Sequence, residues 1–365
     1  MRVVVDRKAL YGATSQLVKV VKGSVLPFLH LRTVGDEVVL EGVSADVSLR
    51  QSVAARVEAP GEAAFNGEGF AKLLRSCTAY SLLTLEGPVD GYLRVVGGHT
   101  EAKLTVMDVA DLPPFPTLTG NQEWKFPAVA FGQALARLLP IAVRAPADFR
   151  GVMLEPEEGR TRLTAVDGTM LAYTHVGVLG CSKVVVPPSV QFIIPELLRC
   201  AATDEVTVGV SAGSDVVELR TPSGTTLHVL ADTRVETFPD YRCVIPSSPI
   251  LRLRVNRLAL MMAAERCTKF TTDQNHTVSM VVNGATLVME AKRFDSLEIL
   301  REEVPVDMEN EWLRLGVNAK LLCTALALTQ GEDVEMRREG GHLGVVMWKI
   351  DEVGGCVLVM PLRLN

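Results

Sequence analysis

Arg2-Val3-Val4-Val5-Asp6, followed directly by Arg7-Lys8-Ala9-Leu10-Tyr11-Gly12-Ala13-Thr14-Ser15-Gln16-Leu17-Val18-Lys19-Val20-Val21, is the stretch on which the fold turns. A short strand runs without a linker into a segment with helical spacing. Leu10, Thr14, Leu17, Val18 and Val21 share one face, and Lys8, Tyr11, Ser15, Lys19 and Lys22 form the opposite stripe. No acid occurs between Arg7 and Lys22. The same strand-then-helix opening returns at Trp124 to Val143 and at Leu251 to Phe270, a period of about 120 to 130 residues. About 60 residues after each opening stands a second strand-helix pair: Ala63 to Cys77, Val184 to Ala201, and Trp312 to Leu328. Alternating strand patterns follow, such as Val206 to Val210 and Val216 to Arg220, with a turn at Pro222-Ser223-Gly224.

Each third of the chain therefore reads as two copies of one strand–helix–strands unit. Proline-rich joints at Pro113-Pro114-Phe115-Pro116 and Pro246-Ser247-Ser248-Pro249 separate the thirds. The fold class is α+β, with three similar domains over residues 1–120, 121–246 and 247–365. Each sets two helices against antiparallel sheets. The period is too long for solenoid repeats. Pro195 falls inside the fourth helix and is expected to shorten or kink it.

The 365 residues suit two or three domains, and 48% hydrophobic residues can fill sizeable cores. No stretch approaches the roughly 20 apolar residues of a membrane span, and the first residues lack a signal-peptide pattern. A cytoplasmic, nucleoid-associated location is expected. Seven cysteines stand singly, with no C-x-x-C pair, which argues against a disulfide framework and a structural zinc site. Neither a metal nor a cofactor is expected. The chain has no G-x-S-x-G, H-E-x-x-H or G-K-[ST] motif. An enzyme would have to use a pair such as Asp167 and His175, and packing is the commoner role for a histidine in a strand-like run.

The net charge of −6 discourages a nucleic-acid reading until its distribution is considered. Helix segments 7–22, 69–78, 129–144, 188–201, 256–269 and 318–329 hold seven Arg and six Lys against Glu196 and Glu265. A charge run on one helix is ordinarily a solvated face. Six helices of one sign in a chain of the other sign indicate a positive surface suited to phosphates. Few aromatic or amide side chains interleave with the cations, which favours sequence-independent backbone contact over base readout. The candidate DNA-binding residues are Lys8, Lys19, Lys22, Lys72, Arg75, Arg137, Arg144, Arg199, Arg257, Arg266, Lys269 and Lys320.

Several motifs then resemble one family. Leu26-Pro27-Phe28-Leu29, Arg150-Gly151-Val152-Met153-Leu154, Asp167-Gly168, Phe238-Pro239-Asp240-Tyr241-Arg242, Gln274-Asn275-His276 and Met360-Pro361-Leu362-Arg363-Leu364 are similar to signatures of the bacterial DNA sliding clamps, the beta subunits of DNA polymerase III. They occur in clamp order across essentially the whole chain. The resemblance implies a clamp fold in which two chains close head to tail into a six-domain ring around duplex DNA. It also implies a processivity factor rather than an enzyme. Its partners would be a clamp loader, the polymerase III alpha subunit and other proteins carrying clamp-binding peptides.

Carried over by motif, the partner-peptide pocket would comprise Phe149, Val166, Gly168, Thr169, Met170, Leu171, Pro239, Cys243, Val244, Leu358, Met360, Pro361, Leu362, Arg363 and Leu364. Phe270 would lie at the dimer interface. The chain departs from the family pattern at Thr169 and Met170, where an aromatic or His and then Arg are usual. It departs also at Cys243, at Gly23 in place of an arginine, and in the extra Asn365. These departures keep open a specialised paralogue, serving repair or plasmid or phage replication, with altered partner choice.

Overall fold

The computed structural model describes residues 1–118, 121–177, 181–211, 216–230, 235–245, 251–271, 276–293, 297–308, 314–338, 346–349 and 355–364. The second proline joint at Pro246 to Pro249, together with Gln274, Asn275, Trp312 and Asn365, lies outside them.

Within the described residues one order of elements is written three times. The first set is β1 (Arg2–Asp6), α1 (Arg7–Val21), β2 (Phe28–Val34), β3 (Glu37–Val43), β4 (Val47–Ala59), β5 (Glu62–Asn66), α2 (Gly67–Ser76), β6 (Leu82–Val89), β7 (Tyr92–Gly97) and β8 (Thr100–Met107). The second is β9 (Asn121–Pro127), α3 (Ala128–Ala142), β10 (Val152–Glu157), β11 (Arg160–Val166), β12 (Met170–Val176), β13 (Val184–Val186), α4 (Ile194–Leu197), β14 (Glu205–Ser211), β15 (Val216–Arg220) and β16 (Thr226–Leu230). The third is β17 (Leu251–Asn256), α5 (Arg257–Phe270), β18 (Thr277–Asn283), β19 (Thr286–Lys292), β20 (Ile299–Met308), β21 (Arg314–Asn318), α6 (Ala319–Leu328), β22 (Asp333–Arg338), β23 (Val346–Lys349) and β24 (Cys356–Val359). A strand, a helix and three strands thus recur six times.

The strand-to-helix junction has a repeated local cause. Asp6, Asn66, Asn256 and Asn318 each end a strand in extended conformation, and each side chain accepts a hydrogen bond from the backbone N–H three residues on. Those distances are 2.7, 2.9, 3.0 and 3.1 Å. Such a cap satisfies one of the helix's unpaired amides and stabilises it by about 1 kcal/mol.

The middle set is the irregular one. α3 begins at Ala128, whose N–H is taken by the Asp204 carbonyl at 2.9 Å, and ends two residues after an internal Pro140. The segment expected as a fourth helix over 188–201 becomes a 3-10 turn at Pro188–Phe192 and a single turn at Ile194–Leu197. Pro195 lacks the amide that a longer helix would need, so the shortening follows.

The chain packs into two compact units. One comprises Met1–Gln133 and Ser189–Thr233, the other Ala134–Pro188 and Arg234–Asn365. The first holds a twelve-stranded sheet in the order β1-β6-β7-β8-β5-β2-β3-β4-β16-β15-β14-β9. The second holds β13-β10-β11-β12-β24-β23-β22-β17-β20-β19-β18-β21. Eight strands correspond one for one, β5-β2-β3-β4-β16-β15-β14-β9 in the first unit with β13-β10-β11-β12-β24-β23-β22-β17 in the second. In the first, β4 meets β16 antiparallel with Arg50 opposite Thr226; in the second, β12 meets β24 with Leu171 opposite Leu358.

Cores lie between helix pairs and sheets. In the first unit Leu10 and Leu17 of α1, Phe70 of α2, and Leu29 and Leu40 beneath them are fully buried. Full burial of each such side chain stabilises the fold by about 1.5–3 kcal/mol. Gly67 permits the close approach of α2, since a Cβ there would stand 2.9 Å from Leu29 Cγ. In the second unit Leu260, Cys267, Met289, Leu322 and Leu326 play the corresponding part.

Candidate nucleic-acid and partner interfaces

The cationic stripe on α1 emerges as expected: Lys8, Lys19 and Lys22 are exposed, while Leu10, Ala13, Thr14, Leu17, Val20 and Val21 are buried. Val18, assigned to the apolar face, is half-buried. The helix boundaries change the charge count modestly. α2 starts at Gly67 and so includes Glu68, while Lys22, Arg144 and Arg199 fall just beyond helix ends.

The twelve candidate cations separate by what they touch. Lys8, Lys19, Lys22, Arg75, Lys269 and Lys320 are exposed and form no ion pair among the described residues. Arg199 and Arg257 give their Nε–H to the backbone carbonyls of Pro195 and Gly331, each at 2.9 Å, leaving the rest of each guanidinium available. Lys72 stands 3.9 Å from Glu68, a loose exposed pair. Arg137 is half-buried and engaged. Two others are committed elsewhere. Arg266 makes a two-pronged pair with Glu302 at 2.7 Å per bond, and Arg144 is bound to Asp167 at 2.8 Å. Lys8 and Arg199 come together along one wide cleft of about 770 Å³, with Tyr11, Ser15, Gln16 and Gln51 also lining it. That is a polar surface on which Lys8 and Arg199 stand beside Asp6 and Glu196, with Tyr11 the one aromatic among its lining residues.

The motif-derived pocket residues converge in the second unit. Asp167-Gly168-Thr169-Met170 forms a tight turn between β11 and β12. Asp167 Oδ1 accepts the N–H groups of Thr169 (2.8 Å) and Met170 (2.7 Å) and the Thr169 hydroxyl (2.8 Å). Gly168 has φ +86°, which a side chain would oppose. Arg144 holds the same carboxylate and reaches Met170 Sδ at 3.1 Å. Val166, Leu171 and Leu358 are buried together with Met153, Tyr173, Phe238, Tyr241 and Cys356, and Phe149 packs against them. Val166, Met170, Leu171 and Leu358, expected to line a pocket, are buried.

Thr169, Cys243, Val244, Met360 and Arg363 are the exposed members, Gly168 lies at the turn's surface, and Pro239, Pro361, Leu362 and Leu364 are half-buried. The chain end is tied down. Met360 N–H bonds the Thr169 carbonyl at 2.9 Å, and Leu362 N–H bonds the Gly316 carbonyl at 2.8 Å. Gly316 is required there, since a Cβ would stand 2.6 Å from the Leu362 carbonyl oxygen.

Sequence reasoning missed the groups that hold this site. Glu155, buried beneath it, accepts the Tyr241 hydroxyl and pairs with Arg242 at 3.0 Å and Lys183 at 3.8 Å. Burial, then the bond to Glu155, pushes the Tyr241 phenol above its usual value, so it stays a neutral donor. Phe238 lies 6.3 Å from both Phe149 and Tyr241, edge-on to each. The Phe238-to-Arg242 motif was the available signal, because it packs as one piece. Asp167 and His175, the pair offered to an enzyme, serve separate networks: Asp167 binds Arg144, while half-buried His175 meets Glu157 at 2.7 Å. Phe270, expected at a subunit interface, is half-buried at the end of α5 beside exposed Lys269.

Comparison with known proteins extends these local likenesses. No family model matches the chain. A beta sliding clamp of Chlamydia pneumoniae is 22% identical and one of Caulobacter vibrioides 23%, each over the whole of both chains. That of Escherichia coli strain K12 is 25% identical over 74% of this chain and 73% of its own. Among solved structures, a Pseudomonas aeruginosa sliding clamp bound to griselimycin superposes with a TM-score of 0.90 at 20% identity, covering both chains completely. A Helicobacter pylori beta clamp bound to a DNA ligase peptide gives 0.84 at 18%, again over both chains. Along its whole length this chain is similar in sequence to bacterial beta sliding clamps and has the fold of the solved ones.

Proposed function

We propose that this chain is a DNA sliding clamp, a processivity factor that tethers a replicative polymerase and other DNA-processing proteins to duplex DNA. The observation that carries the reading is the full-length correspondence, in sequence and fold, between the six-times-repeated unit and the clamps. Three domains, at 1–120, 121–246 and 247–365, would each contribute two helices. Two chains would close head to tail, with Phe270 anchoring the third domain of one against the first domain of the other. A heterologous contact of this kind must close, or it grows a filament.

The mechanism is topological, so the protein is not an enzyme. Closure prevents sideways escape, and diffuse contacts from Lys8, Lys19, Lys22, Arg75, Arg199 and their fellows reach phosphates without reading bases, which permits sliding. The turn at Asp167–Met170, the Phe238–Tyr241 segment and the tied-down chain end would receive short peptide motifs from the polymerase alpha subunit, the clamp loader and other partners. One or two apolar anchors buried above the Phe149–Leu358 cluster would supply most of the affinity.

Sedimentation equilibrium at micromolar concentration tests the assembly. A species of twice the chain mass is expected, with Phe270→Ala shifting it toward monomer. A wild-type monomer at that concentration would contradict the reading.

A further inference from the structure

We propose that a cavity in the first unit is a second peptide-anchor site, which takes an extended peptide bearing a leucine or phenylalanine beside a basic residue. The cavity holds about 420 Å³ between Leu26, Phe28 and Val43 on one side and Leu112, Pro113 and Phe115 on the other.

Its position follows from the internal repeat. The hairpin pairs Val34–Glu37 and Glu157–Arg160 close β2–β3 and β10–β11 in the same way. Counted from those turns, Val43 corresponds to Val166 and Leu26 to Phe149. The joint after β8 carries Phe115, which meets His228 of β16 at 5.0 Å and lies under Arg50 of β4 at 4.0 Å. The segment after β16 carries Phe238 and Tyr241, which pack with Leu171 and Tyr173 of β12 and Leu358 of β24. Both therefore lay aromatic side chains on the corresponding strand pair. The second unit offers two rings there; the first offers Phe115 beside Pro113 and Pro114, and space remains.

Three features favour a peptide with this chemistry. The cavity runs through Leu26, Val43 and Pro113 into an open groove of about 640 Å³ that also includes Val25. An extended chain can follow this track, and Val25 is 98% exposed on it. The wall inside the cavity is electrically satisfied, because Glu41 already receives His30, Arg32 and Arg50. An apolar anchor thus meets no unpaired charge. Asp46 in the groove, and Asp108 and Asp111 flanking the residues that line the cavity, form no ion pairs among the described residues. Within the groove Asp46 and Lys22 stand one to one, so the acidic excess comes from Asp108 and Asp111 beside the cavity. Apolar burial would supply affinity, and the acids would select a basic neighbour.

The choice of a peptide as occupant rests on the proposed partner role of the second unit, so the test separates the two sites. Fluorescein-labelled Lys-Lys-Leu-Phe and Glu-Glu-Leu-Phe are titrated by anisotropy into the full chain and a chain truncated before Met360. Each is also prepared with Leu26→Ser and Leu112→Ser. The truncated chain should bind the lysine peptide at least fivefold more tightly than the glutamate peptide. The paired serine substitutions in that chain should weaken it at least tenfold, about 1.4 kcal/mol. Unchanged affinity on those substitutions, or equal binding of both peptides, overturns the proposal. Complete loss on truncation alone also overturns it, and is what binding at the second-unit site alone would give. Binding indifferent to truncation but lost with the serines sustains it and removes the chain end from the partner role. If the paired variant melts early, Leu26→Ser alone, at a loop position 38% exposed, provides the same readout.

Discussion

Glu41 lies almost fully buried with three cations on it: Arg50 at 2.6 Å, His30 at 3.2 Å and Arg32 at 3.3 Å. Burial works against its charge, but the His30 bond and the two guanidiniums outweigh that and hold its carboxyl at about 2. Burial likewise opposes the His30 charge, yet its bonds to Glu41 and to Glu62 raise it above the usual 6.5. The signs differ. The Glu41 contribution is present above its ordinary 4.5 and is lost as pH falls toward 2. The His30 contribution is complete below 6.5 and fades as pH rises through the raised value. A urea-midpoint profile should therefore be highest between about pH 4.5 and 6.5 for this cluster. His30→Gln should lower the acidic-side midpoint and flatten the decline above pH 6.5; a parallel, merely displaced profile would contradict this. Asp167 calls for a second test at this scale. Its carboxylate organises a turn and pairs with Arg144, so Asp167→Ala should cost about 2–3 kcal/mol in chemical denaturation, as loss of charged hydrogen bonds does. A loss below about 0.5 kcal/mol, the scale of ordinary surface changes, would make the turn independent of it.

At the scale of elements, strands that end in an Asx cap explain why a helix begins without a linker. Asn256→Ala should lower stability by about 1 kcal/mol, seen as a shifted urea midpoint with an unchanged slope; no shift would place helix initiation elsewhere. Five of the six strand-helix pairs were legible because apolar spacing survives in one dimension, as in Leu10 to Val21; the fourth helix was read too long across Pro195. The caps were equally local but were read past, since Asp6 and Asn66 look like ordinary polar residues until the turn around them is drawn. The commitments of Arg144 to Asp167 and Arg266 to Glu302 were not legible, because each bridges residues 23 and 36 apart. The cluster of Val166, Leu171 and Leu358 was singled out only through family motifs, and the support that Glu155 gives it was not legible at all. The helix cations carry their own test: Glu in place of Lys8, Lys19, Lys22 and Arg75 should flatten the salt slope of DNA association by about one unit of log K per lost phosphate contact. Sequence preference should not change. An unaltered slope would make the stripe only a solvated face.

For the whole molecule, the central claim is that the chain acts by encirclement, and topology gives it a signature that affinity lacks. An ordinary DNA-binding protein leaves circular and linear duplexes at the same rate, and salt speeds both because phosphate contacts govern release. A closed ring leaves a circle only by opening, yet leaves a linear molecule by sliding from an end. The direct measurement is retention of labelled protein loaded on nicked circular DNA, filtered at high salt before and after a single restriction cut. The protein should stay with the circle through the column and be lost once the DNA is linear. Equal retention on both forms, or prompt salt-driven loss from the intact circle, would contradict encirclement.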